Sequence, residues 1–152
     1  MIIVYTPEGG EPETLDARRL RASEVMAIEK AADMKWAEVR QGLHEGDVTA
    51  VRTVAWALKR RNEPALRLAQ FDPFDDELIV RLDAREVESF ALQVYASFRD
   101  QPEELAAAWD ELREAAHDKD ACELAIKQAE ELPKDPGPVP PSLVTDGSPT
   151  AA

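Results

Sequence analysis

At 152 residues the chain is the size of one domain, with a formal net charge of −13 and a sequence pI near 4.6. That acidic balance excludes general, charge-driven affinity for nucleic acid or anionic membrane surfaces. The single cysteine, Cys122, excludes an internal disulfide, and no run approaches the ~20 apolar residues of a membrane span, so a soluble, cytosolic protein is expected.

Ile2 to Tyr5 is a short β-branched and aromatic run, followed by the turn cluster Thr6-Pro7-Glu8-Gly9-Gly10 and a second extended candidate around Thr14 to Ala17. The pattern predicts a β-hairpin over 1–20, with Gly9 and Gly10 supplying the positive φ values of a tight turn. Two strands alone are marginal, so the hairpin has to lean on the helices that follow.

Residues 23–68 read as a helical module. Ser23 is the expected N-cap of a helix reaching about Asp33, with Val25, Ile28 and Ala32 on one face. Trp36, Val39, Arg40 and Leu43 then recur at helical spacing up to a stop at Gly46. Asp47 caps a third helix, Val48 to about Arg61, whose stripe is Val48, Val51, Val54, Ala55 and Leu58 with Trp56 at its margin. Pro64 ends that element, because proline disfavours helical backbone in the residue before it.

Residues 65–77 are irregular, with Phe71 and Phe74 flanking Asp72-Pro73, and Leu78 to Leu82 fits either a short strand or the tail of a turn. Asp83 caps an amphipathic helix with Val87, Phe90, Ala91, Val94, Tyr95 and Phe98 facing the core. Pro102 suits the first turn of another helix, favoured by Glu103 and Glu104 through the helix dipole. Leu105, Trp109, Leu112 and Ala116 form its stripe, which Leu124, Ile126 and Ala129 carry towards Leu132. The end of the chain, 133–152, is rich in proline, glycine and serine and is expected to be a disordered tail. The fold class expected is mainly α: a β-hairpin and a small multi-helix domain within 1–132, acidic helices from 83 onwards, then the tail.

Lys and Arg outnumber acids over 17–67, while acids dominate over 100–135. Oppositely charged halves can dock on one another or on neighbouring copies, which would give self-association; solvated helix faces are the simpler reading.

Few residues invite a catalytic role. His44 and His117 are the only histidines and fall on different expected helices. The cluster His117, Asp118, Cys122 lacks the spacing that puts zinc ligands on a shared face. Asp72, Asp75, Asp76 and Glu77 gather carboxylates, but Phe74 and Glu77 occupy positions that a calcium loop gives to a ligand and a glycine. No glycine-rich phosphate loop is present. No metal or cofactor is expected, and the chain reads as a binding device rather than an enzyme.

Candidate partner-contacting residues are Trp36, Leu43, Val51, Trp56, Lys59 and Arg60. Tryptophan at helical spacing is usually core, whereas one facing outwards beside leucines would anchor an apolar partner. The alternative is a small helix-turn-helix DNA-binding regulator, with Thr49, Arg52 and Thr53 reading bases from the helix that begins at Val48. Against it, Lys59, Arg60 and Arg61 more simply complement the dipole at that helix's C-terminus.

Taken in order, MIIVYTPEGG, the Glu24–Glu29 segment, the W-x-E-x-x-x-x-L-x-x-G-D core from Trp36 to Asp47, the A-W-A-L-K-R-R-x-x-P close and FDPFDDEL resemble the tail assembly chaperones of long-tailed bacteriophages. The likeness covers about residues 1–82; the acidic helices from Asp83 to Leu132 carry no matching pattern. The resemblance implies a non-catalytic helper, made in the host cytoplasm and absent from the mature virion. It implies as partners the tape-measure protein, which such chaperones coat, and the tail-tube protein, which they recruit. It also implies that a programmed frameshift can produce a longer form.

Overall fold

A computed structural model describes residues 1–132. The tail expected over 133–152 lies outside the described residues. The chain is mainly α, with six α-helices and a small antiparallel sheet among the described residues.

Strand β1 (Ile2–Tyr5) pairs with β2 (Glu13–Asp16), as the hairpin pattern predicts. Of the two turn glycines only Gly9 adopts positive φ, at 69°. The N–H of Gly10 instead closes the turn onto the Pro7 carbonyl at 2.9 Å. The sheet has a third member: β3 (Leu78–Arg81) pairs antiparallel with β1, making the order β2-β1-β3. Residues 78–82, open between strand and turn on sequence, therefore complete the sheet from far along the chain. The β2-β1-β3 face bearing Leu15, Ile3 and Val80 packs on the helices.

Helix α1 (Ala22–Ala32) begins two residues earlier than an N-cap at Ser23 would place it. Its N-cap is Arg21, whose backbone N–H is satisfied by the Glu24 carboxylate at 2.6 Å, so Ser23 sits inside the first turn. Asp33 closes it in the left-handed region at φ 54°. Helix α2 (Trp36–Glu45) stops at Gly46, φ 74°, where a residue without Cβ is favoured. Asp47 then accepts from the Ala50 N–H at 2.8 Å and starts α3 (Val48–Lys59). Helix α3 is the central element: Val51, Val54, Ala55, Trp56 and Leu58 are all buried. Val48, counted above as core, projects from the first turn at 52% exposure.

Asp83 caps α4 (Ala84–Phe98) by accepting from the N–H groups of Arg85 and Glu86. Helices α5 (Pro102–Ala115) and α6 (Lys119–Glu130) are separate, with Asp118 capping the second, so the stripe read through Leu124 does not continue one helix. Leu124 lies two residues from both Cys122 and Ile126, which places it on the solvent side of α6. Phe90, expected on the core face of α4, is likewise exposed, at 39%.

The apolar interior falls into two clusters. The first joins the sheet to α1–α3 and includes Ile3, Ile28, Val39, Val54 and Phe71. The second lies within α4–α6 around Val87, Trp109 and Ile126. Between them run a few polar links. The Met1 ammonium pairs with the carboxylates of Asp83 and Glu86. Leu82 donates to the Ala115 carbonyl at 2.9 Å and accepts from the His117 N–H at 3.0 Å.

A candidate partner-binding groove

The six residues proposed for partner contact do not form one surface. Trp36 is half-buried against the first cluster, and its backbone N–H is held by the Glu29 carboxylate at 2.8 Å. Trp56 is only 8% exposed, its indole N–H donating to the Leu66 carbonyl at 3.0 Å. The Arg60 guanidinium lies over that indole at 5.0 Å. Lys59 bonds the Glu13 carboxylate at 2.7 Å and sits 5.2 Å from the Tyr5 ring centre. Burial opposes its charged form, but the Glu13 and Glu63 carboxylates prevail and raise the ammonium's pKa. Lys59 thus ties α3 to the hairpin.

Leu43 and Val51 are the two that the structure brings together at a cavity. Both line a groove of about 430 Å³ that separates the α2–α3 corner from β3. Local sequence explains its walls. Gly46 and Asp47 turn the chain sharply enough to leave Val48 on the rim. Opposite, Arg52 donates to the carbonyls of Phe71 at 2.8 Å and Leu68 at 2.9 Å, fixing the segment that leads to Phe74. The Glu77 carboxylate accepts from the Phe74 N–H at 2.8 Å, so an acid of the carboxylate cluster shapes the loop. Phe74 is 67% exposed and Ile79 42%.

A single isolated apolar side chain on a surface is ordinary, but Val48, Phe74 and Ile79 border one concavity together. Arg52 and Arg81 supply positive charge at its edge and Glu45 and Asp75 negative charge, and the Arg81 guanidinium also bonds the Glu114 carbonyl. An arrangement of this kind can take up a large apolar side chain, with main-chain and charged groups around it to orient the rest.

The remaining candidates for chemistry are dispersed. His44 is exposed beside the groove, while His117 lies in the α5–α6 connection rather than on a helix. Cys122 is fully buried and burial raises its thiol pKa, so it is held protonated. Among the described residues no three His, Cys, Asp or Glu side chains stand close enough to hold a metal ion. No helix described is long and apolar enough to cross a membrane. Of the three residues named for reading bases, Thr49 is exposed, Thr53 is buried and donates to the Thr49 carbonyl at 2.6 Å, and Arg52 is engaged by the Phe71 and Leu68 carbonyls.

Sequence reasoning passed over Phe74, Ile79 and Val80. The signal available was an aromatic residue set among acids, Phe74 between Pro73 and Asp75, where neither a helical nor a strand stripe would bury it. Comparison with known proteins finds no matching family, no matching characterised relative and no matching solved structure.

Proposed function

We propose that the protein is a non-catalytic tail assembly chaperone of a long-tailed bacteriophage. It binds apolar segments of the tape-measure protein and keeps them soluble while tail-tube subunits are recruited around them. It acts in the host cytoplasm and is absent from the mature particle; a frameshifted longer form accords with the same reading. The resemblance over residues 1–82 supplies the identity of the client.

The observation that supports a sheltering role is the groove, where Val48, Phe74 and Ile79 are left open to solvent around a floor of Leu43 and Val51. Burying them against a client releases roughly 25 cal/mol per Å² before association costs. A net charge of −13 keeps chaperone and complex apart from their neighbours by repulsion.

The test is co-expression with the tape-measure protein of the same genome. The wild-type chaperone should move the client into the soluble fraction. The double variant Val48→Ser, Phe74→Ser should lose that effect while its own melting temperature changes little, since both side chains are exposed. A client equally insoluble with and without the wild-type protein overturns the assignment; a double variant as effective as wild type overturns the groove.

A further inference from the structure

The groove is bounded on one side by a strand edge whose hydrogen-bonding register follows from the ladder. In the β1–β3 pairing Val4 faces Ile79 and Ile3 faces Val80. One step beyond the Tyr5–Leu78 pair, the Thr6 N–H donates to the Glu77 carbonyl at 2.8 Å. Bonded and non-bonded pairs alternate along an antiparallel ladder. Ile79 and Arg81 therefore turn their main-chain groups towards β1, whereas Leu78, Val80 and Leu82 turn theirs outward.

Two of those three outward positions are engaged. Leu82 uses both groups, donating to the Ala115 carbonyl and accepting from the His117 N–H. The Leu78 N–H donates to the Asp75 carbonyl. Left over are the Leu78 carbonyl and both main-chain groups of Val80, which no group among the described residues bonds. Residues 78–82 all line the groove, so these three groups open into it.

We propose that the groove binds an extended polypeptide segment of a partner, which adds to β3 as a fourth strand and sets an apolar side chain on Leu43 and Val51. The occupant follows from what the edge offers. A donor and two acceptors at two-residue spacing match the main chain of a strand, and a helix has no free main-chain groups to pair with them along its length. The sheet already continues in that direction, because Ala116 forms a parallel bridge with Leu82 on the same edge. The incoming segment extends a pairing that the chain itself begins. A second copy fits poorly, since its own β3 edge is recessed in the same groove and two recessed edges do not meet. The inference rests on reading the groove as a client site but not on who the client is.

The probe is an acetylated, amidated peptide of alternating valine and threonine with a lysine at each end, compared with an analogue N-methylated at alternate residues. Amide hydrogen exchange at Val80 is followed in the full chain. With about nine-tenths of the protein occupied, the unmodified peptide should slow Val80 exchange about tenfold. The N-methylated analogue, which keeps the side chains but lacks the donors, should leave it unchanged. Val80→Pro removes the outward N–H without touching the β1 ladder and should abolish binding of the unmodified peptide.

Absence of slowing at millimolar peptide, or equal binding of both peptides, overturns strand addition. So does a Val80 amide already protected without peptide, because the edge is then filled by the chain itself or by a second copy. Failure here with success in the co-expression assay rejects the binding mode and leaves the chaperone reading standing.

Discussion

Trp109→Ala should unfold one part of this protein ahead of the other. Trp109 is 5% exposed, and its indole N–H donates to the Glu130 carboxylate at 3.2 Å. Much of the rest of its cluster is small: Ala91, Ala116, Ala125 and Ala129. Truncating a buried tryptophan costs about 3–5 kcal/mol, and alanine neighbours cannot swing in to fill the space, which places the loss towards the upper end. Whole domains are stable by only about 5–15 kcal/mol. At a urea slope of about 1–3 kcal/mol per M, the unfolding midpoint of α4–α6 should fall by at least about 1 M. The variant also provides its own reporter. The chain has three tryptophans, and the two left, Trp36 and Trp56, both belong to the first cluster. Fluorescence then follows the sheet and α1–α3, while far-ultraviolet circular dichroism follows every helix. The expected result is a loss of helical signal at lower urea than the change in fluorescence. Coincident transitions displaced together would show that the polar links at Met1 and Leu82 make the two clusters one cooperative unit. A midpoint equal to wild type would refute the burial argument itself.

Gly42→Ala tests the close approach of α2 to α3. A Cβ there would lie 2.9 Å from the Ala50 Cβ and 3.2 Å from the Asp47 Cβ. The helical gain of about 1 kcal/mol should therefore be outweighed by overpacking of about 1–3 kcal/mol; a higher melting temperature in the variant contradicts this. Asp83 gives a pH prediction. Burial opposes its ionisation, but hydrogen bonds from the Met1 ammonium and from the amides of Glu86 and Arg85 prevail and lower its pKa from 3.8. Its contribution is present above the unfolded value and is lost as pH falls through the lower folded one. Asp83→Asn should cost about 1.5–3 kcal/mol at neutral pH, and urea midpoints of variant and wild type should converge in strong acid; a gap that persists there sinks the assignment.

What the sequence made legible was local. Asp47 and Asp83 cap the helices they precede, Gly46 stops α2, and Pro102 opens α5, because each of these signals acts within one turn of the chain. The module and the mainly helical character follow from such signals. Residues 78–82 were ambiguous for the opposite reason. Four residues in β3 carry too little periodicity to separate strand from turn, and their partner β1 lies more than seventy positions earlier. Leu124 and Phe90 were misplaced because spacing defines a stripe but not how wide a strip the neighbouring helices cover.

The groove could not be read for a deeper reason than any one of these errors. Its two sides come from residues 43–52 and 73–82, and no property of either segment alone marks the space between them. Val48 has the spacing of a core residue and becomes rim only because the Gly46–Asp47 turn places it at the start of α3, beyond the sheet's reach. Val80 faces the core by its side chain and the groove by its main chain, and the second role depends wholly on register. Leaving such a surface open carries an aggregation hazard, since an unpaired edge beside apolar side chains invites nonspecific pairing. Three features here limit it: the edge is short, Ala116 closes one end, and the chain repels its own copies through a charge of −13. The first two act on any incoming strand, whereas the charge repels a second copy of the same acidic protein and not a neutral or basic extended segment, and that asymmetry is what the proposed site for a foreign chain requires.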